Sequence, residues 1–310
     1  MVEGVNMRED HTIHNGLISR RMTIIDLMIH SFFIALSIAV IVPFILIISI
    51  SLTSEQSLLL QGYHLIPRKL DLLAYKTIFE APTQLIRSYG VTIFVTIFGT
   101  VVSLLLTTMI AYSLSRRDYR YRKITTFYVF LTMLFNGGLV PLYILVTQYL
   151  HMKDTIYALI VPYLISPFYV LIMKGFLDKL PAEIIESAKI DGSNEWRIFF
   201  KIVLPLSTPA LATVGLFISF MYWNDWWLGL LFIDNQRLIP LQLLLYRIMS
   251  TIEFLSNNVL SGAVNIDIAN FPNLSARMAM AILAAGPMMF VFPFFQRYFI
   301  RGLTVGSLKA

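Results

Sequence analysis

Six apolar runs, each long enough to cross a bilayer as a helix, alternate along the chain with shorter polar segments. The first extends from Ile24 to about Ile50, with Pro43 as a point of kinking. The others run from Ser88 to about Leu114, Ile124 to Thr147, Ile156 to Phe176, Leu204 to Phe232 and Met278 to Gln296. Closed barrels need strands of about ten alternating residues, whereas continuous runs must satisfy their backbone bonds internally as helices. The pattern predicts an all-α, polytopic membrane protein with six transmembrane helices. It divides into a polar N-terminal leader (1–23), a membrane domain (24–300) and a short C-terminal tail (301–310).

The runs are not uniform. The third is interrupted by Asn136-Gly137-Gly138-Leu139-Val140-Pro141, and a mid-membrane break is tolerated only where protein or a cavity satisfies the freed backbone. In the second, Thr92, Thr96, Thr100, Ser103, Thr107 and Ala111 recur about one turn apart. That spacing suits either a close helix-packing seam or the polar lining of a conduit. Between the first two runs, Leu70, Leu73, Ala74, Thr77 and Ile78 have the spacing of a short surface helix. The segment 233–276 is long for a bundle loop, and its apolar-rich stretch from Ile239 to Met249 reads as partly helical.

Composition agrees with the membrane reading: 57% hydrophobic residues, 14% charged residues and a mean hydropathy of +0.72 cannot be covered by the surface of a soluble domain. A net charge of +6 could suggest nucleic acid, but the basic residues are distributed by segment. On the six-span reading sixteen Lys and Arg fall on one side and eight on the other, in loops that are jointly longer. The loop from Ser115 to Lys123 alone carries five of the sixteen against a single Asp118. This places both termini in the cytoplasm, beside anionic lipid, with no nucleic-acid partner expected. There is no cysteine, no phosphate-binding G-x-x-x-x-G-K-[ST] loop, and no acidic residue near the centre of a run. Hydrolysis of a nucleotide by this chain, thiol chemistry and an intramembrane ion relay are thereby disfavoured, and no cofactor or metal is expected in it. His11 and His14 lack a third ligand, and Asn273-Leu274-Ser275 is a glycosylation triplet of high chance frequency.

Two stretches carry candidate chemistry. Tyr222-Trp223-Asn224-Asp225-Trp226-Trp227 lies at the far end of the fifth run. It reads either as an aromatic belt at the interface or as rings that stack on a sugar while Asn224 and Asp225 take its hydroxyls. With Asn136 and Tyr163, residues Tyr222, Trp223, Asn224, Asp225 and Trp226 are the candidates for a substrate pathway. The second stretch, 181–205, reads as two short helices at a glycine turn. Pro181, Glu183 and Glu186 suit a helix start and Gly192 a left-handed stop. Ser193 or Asn194 suits the next cap, with Trp196, Phe199, Phe200 and Val203 on one face, of which Trp196, Phe199 and Phe200 are expected to tie the pair to the bundle.

Glu186-Ser187-Ala188, three residues, Gly192, nine residues, then Ile202-Val203-Leu204-Pro205 resembles the cytoplasmic EAA loop of importer permeases of the ATP-binding-cassette class. Glu186, Ala188, Gly192, Ile202, Leu204 and Pro205 match the motif; Ser187 replaces the usual alanine, and Asp191 precedes the glycine. The tail from Phe295 to Thr304 is similar to the carbohydrate-uptake subgroup typified by the maltose-system G subunit. Together with the 136–141 break it resembles the branch serving complex oligosaccharides in Gram-positive bacteria. The resemblance implies a permease working by alternating access in the bacterial cytoplasmic membrane. It implies a heterodimer with a sister permease, two ATPase subunits that hold ATP and Mg²⁺, and an extracytoplasmic solute-binding protein meeting the 233–276 loop. An importer of a non-sugar solute, or a self-contained carrier or channel, is the alternative.

Overall fold

The computed structural model describes residues 24–80, 82–260 and 272–307. The leader with His11 and His14 lies outside them, as do 261–271 of the long loop and 308–310 of the tail. Among the described residues the regular structure is helical, and Thr53 and Leu70 form one isolated antiparallel bridge.

In chain order, α1 (Ile24–Ser51) leads to the short α2 (Glu55–Gln61) and α3 (Leu73–Ile78), then to the long α4 (Pro82–Ser115). Next come α5 (Arg122–Leu134) and α6 (Leu139–Ile144), the latter continued by a π turn at Leu145–Tyr149. Two 3₁₀ turns (Ile156–Leu159 and Val161–Tyr163) precede α7 (Pro167–Leu177) and α8 (Ala182–Ile190). Then α9 (Glu195–Ile198), a π turn (Phe199–Val203) and α10 (Leu204–Leu206) form a single rod before α11 (Thr208–Trp223). The chain finishes with α12 (Trp227–Phe232), α13 (Leu241–Leu260) and α14 (Leu274–Ser307).

Three helical stretches are long and apolar enough to cross a membrane unaided: Ile24–Ser51, Pro82–Ser115 and Leu274–Val291. The other three expected spans are bent pairs rather than continuous helices. Arg122–Leu134 and Leu139–Tyr149 meet at 108°, Ile156–Tyr163 and Pro167–Leu177 at 51°, and Glu195–Leu206 and Thr208–Trp223 at 82°. The causes are local. Gly138 adopts φ +88°, which ends α5's direction, and Ser166 is extended before Pro167, the conformation that a following proline favours. Pro209 cannot donate an N–H, so the rod ending at Leu206 turns at Ser207 instead of continuing. The helix α11 within the fifth apolar run therefore begins at Thr208, not Leu204, and it stops at Trp223, with α12 separated from it by Asn224–Trp226.

By contact the chain divides into two compact units, Met1–Ile45 and Leu46–Ala310. The described part of the first is the N-terminal portion of α1, whose apolar side chains are largely exposed. In the second, α4 packs against α7 and α11, and α11 against α14. The small residues of α4 face this contact: Thr92, Thr96, Ser103, Thr107 and Ala111 are all buried. Thr92 Oγ1 accepts from the Leu241 amide at 2.8 Å and the Ser103 hydroxyl donates to the Leu164 carbonyl at 2.6 Å. The packing reading of that seam holds. Gly99 belongs to it, since a Cβ there would lie 2.8 Å from the ring carbons of Tyr222. One core joins α4, α7, the rod and α11; a second gathers α3, Trp223, α13 and α14.

Candidate functional site

The stretch 181–205 folds as a helix hairpin. Pro181 is the N-cap of α8 rather than its first residue. Gly192 sits at φ +76°, the Gly192 amide donates to the Lys189 carbonyl and the Ser193 amide to the Ala188 carbonyl, both at 3.0 Å. That pair of bonds is a Schellman closure, which needs a left-handed residue at this position. Asn194 caps the second helix, its Oδ1 accepting from the Arg197 amide at 2.8 Å. Glu186, Ser187, Asp191 and Gly192 are exposed and Ala188 is buried. Ile190, at the tip, is 87% exposed.

The hairpin is held by Ile198, Phe199 and Val203, all within 3% of full burial. Trp196 and Phe200 do not tie it to the bundle: both are exposed and stack on each other, centroids 6.1 Å apart at 16°. Of the later motif residues, Ile202 and Leu204 are partly buried and Pro205 is exposed.

An ion cluster braces the same hairpin. Arg116 grips Asp118 through two bonds of 3.1 and 2.8 Å, and Lys189 of α8 reaches the same carboxylate at 2.7 Å. Lys189 also pairs with Glu195 of α9 at 2.8 Å, and the Tyr112 hydroxyl of α4 donates to Glu195 at 2.7 Å. Both helices of the hairpin are thus fastened to one another and to the end of α4. The hydrogen bonds from Arg116 and Lys189 hold the Asp118 carboxyl down at about 2. Its bonds to Asp118 and Glu195 raise Lys189; at Glu195 burial pushes upward, but Lys189, Tyr112 and Arg116 together bring the carboxyl below its ordinary value. Sequence reasoning treated the 115–123 loop as a charge marker and missed this cluster. The one signal was that Asp118 is the lone acid among five cations.

At the other end of α11 the aromatic stretch splits into three environments. Tyr163, Tyr222 and Asp225 come together: the Tyr163 hydroxyl donates to Asp225 Oδ1 at 3.2 Å, and its ring meets Tyr222 edge-on at 6.2 Å. Tyr222 is buried and its hydroxyl donates to the Ile160 carbonyl at 3.0 Å. Trp223 is buried facing α14, with Nε1 donating to the Ala284 carbonyl at 2.8 Å. Neither aromatic has a polar atom left for a ligand. Asn224 is exposed, Asp225 partly buried, and Trp226 stacks on Tyr246 of α13 at 4.8 Å. Asn136 stands apart from this group. Its Oδ1 accepts from the Gly138 amide at 2.9 Å, so the side chain shapes the break. A further residue unforeseen in the sequence is Glu55, a buried carboxylate that accepts from the amides of Leu274 and Ser275 and from the Ser275 hydroxyl at 2.9–3.1 Å, capping α14.

Residues 16–305 match the family of binding-protein-dependent transport system inner membrane components. The chain belongs to this family. It is accordingly a membrane permease component of a binding-protein-dependent ABC importer, a transport subunit and not an enzyme. The permease is 37% identical to the protein LplC of Bacillus subtilis (strain 168) over 98% of this chain and 100% of LplC. It is also 37% identical to the polygalacturonan/rhamnogalacturonan transport system permease YtcP of that organism, covering 92% and 98%. A third B. subtilis relative, the arabinooligosaccharides transport system permease AraQ, is 30% identical over 90% and 94%. Among solved structures, a chain of a bacterial ABC transporter involved in the import of the acidic polysaccharide alginate aligns with TM-score 0.73 at 26% identity. That alignment covers 91% of this permease and 98% of that chain.

Proposed function

We propose that this permease carries an oligosaccharide into a bacterial cell by alternating access, driven by ATP and Mg²⁺ bound on separate ATPase subunits. The 181–205 hairpin is the element through which those subunits act, and it faces the cytoplasm together with both termini. A sister permease completes a heterodimer, and an extracytoplasmic binding protein delivers the sugar to the side bearing α13. The oligosaccharide reading is supported by the relatives named for arabinooligosaccharide and polygalacturonan transport.

The observation that carries the coupling role is the construction of the hairpin. It leaves Glu186, Ile190 and Asp191 exposed, while Lys189 and Glu195 beside the turn are fastened to Asp118 and to each other, and Ile198, Phe199 and Val203 are buried against the bundle. A protrusion that keeps one face exposed and is braced beside its turn transmits force instead of flexing. Near the external end, Asn224, Asp225 and the open face of Trp226 are the groups available to a sugar, since Tyr222 and Trp223 are taken up by packing. Purification of the chain in mild detergent is expected to bring down a second permease and an ATPase. Glu186→Lys should release the ATPase while the permease pair stays together. A chain that purifies alone, or an ATPase retained undiminished by Glu186→Lys, contradicts the proposal.

A further inference from the structure

An open groove of about 460 Å³ runs between α5 and α7, outside the hairpin and the aromatic cluster. Its two walls are graded in the same direction. On α5 the order is Arg122 and Lys123, then Thr126 and Phe127, then Phe130, descending about 10 Å of helix axis. On α7, Lys174 stands at the mouth and Leu171 a turn deeper. Both helices thus put cations at one end of the groove and apolar side chains below. Asp178 joins the walls, accepting from Arg122 at 3.0 Å and from Lys174 at 2.6 Å. Two cations share that one carboxylate, and no ion pair among the described residues engages the third, Lys123. Below them Phe127 is 62% exposed, and Thr126 Oγ1, although shielded from solvent, has no hydrogen-bond partner.

We infer that this groove binds an anionic two-chain phospholipid of the inner leaflet, with its phosphate against Lys123, Arg122 and Lys174. The acyl chains lie over Phe127, Phe130 and Leu171. The excess of two positive charges at the mouth selects an anionic headgroup over a zwitterionic one. The graded walls match an amphiphile aligned with the membrane normal, which a free anion or a uniformly apolar helix would not require. The assignment to the inner leaflet rests on the cytoplasmic placement of the hairpin, because Arg122 follows directly on the loop that braces it.

The test uses the intact importer in nanodiscs of uniform leaflet composition, with Phe130→Trp as a reporter and the complex without that substitution as the reference for the four native tryptophans. Brominated phosphatidylglycerol is expected to quench the reporter more strongly than brominated phosphatidylcholine at the same mole fraction. Lys123→Gln should cut this preference about fivefold, the worth of one cation near an anionic headgroup. Equal quenching by both lipids, or a preference untouched by Lys123→Gln, would mean ordinary lipid contact and overturns the inference. Quenching by neither would mean that protein, such as the sister subunit, fills the groove, and overturns it as well. The orientation is read separately. Arg117→Cys introduces the chain's only thiol, and labelling of it from outside in right-side-out vesicles would refute the cytoplasmic placement whatever the nanodiscs report.

Discussion

The backbone at Gly192 offers a graded perturbation of coupling. Its φ of +76° is a conformation that side-chain-bearing residues rarely adopt, and no atom lies within 4 Å of where a Cβ would be placed. Substitutions here therefore act through the backbone alone, without steric collision. Alanine in the left-handed region costs about 1–2 kcal/mol, and asparagine, which tolerates that region, less than about 1 kcal/mol. Proline is fixed near −65° and removes the amide that bonds the Lys189 carbonyl, a loss of about 3 kcal/mol or more. The open form of the turn should rise about 5- to 30-fold in Gly192→Ala. In proteoliposomes containing the complete importer, the ATPase stimulation produced by loaded binding protein should fall in the order wild type, Gly192→Asn, Gly192→Ala, Gly192→Pro. Permease abundance in the membrane should stay constant. If alanine and proline were equally harmful, or asparagine worse than alanine, the left-handed turn would not be the determinant.

Asp118→Asn removes the acceptor shared by Arg116 and Lys189. The depression of its carboxyl from 3.8 to about 2 is nominally about 2.5 kcal/mol, which solvent screening of a carboxylate 55% exposed reduces to about 1 kcal/mol. A depressed carboxyl contributes fully above its unfolded value and loses its contribution only as pH falls through about 2. The raised Lys189 contributes below 10.5 and loses its share above it. The transport deficit of Asp118→Asn should therefore be constant from pH 5 to pH 9, and a deficit that varies across this range would refute the clamp. Gly99→Ala forces a methyl group to 2.8 Å from a buried ring and should destabilise the bundle by about 1–3 kcal/mol, seen as a lower melting temperature and partly relieved by Tyr222→Leu. Glu55→Ala leaves two amides at the start of α14 unpaired and should cost about 1–2 kcal/mol in thermal unfolding.

What the sequence made legible was set by local chemistry. Gly192 as a left-handed stop, Asn194 as a cap and the break at 136–138 follow from neighbours a few residues away, and each is where the residue types demand it. The apolar runs were legible as membrane segments but not as broken ones. The 82° corner depends on Pro209, whereas Pro43, Pro287 and Pro293 lie inside unbroken helices, so proline alone does not announce a break. The face expected to hold Trp196, Phe199 and Phe200 together is split, with only Phe199 buried. Glu55 meets Ser275 across 220 positions, and Asp118 meets Lys189 across 71, separations at which pattern carries no information. Tyr222 and Trp223 show the reverse difficulty: composition suggested ligand contact, but a carbonyl 62 and another 61 residues distant already take their donors.

The corner at Ser207 has a mechanical consequence. Glu195–Leu206 is a stiff arm of about 18 Å and α11 another of about 24 Å, set 82° apart. The Ser207 amide donates to the carbonyls of Val203 and Leu204, the Thr208 hydroxyl to that of Pro205, and the Leu211 amide to Ser207, so the elbow is stitched from both sides. Such a part works as a bell crank. A shove across the tip of the short arm, directed along the membrane normal, rotates the long arm and sweeps its far end sideways by about one third more. Tyr222 and Asp225 ride at that far end.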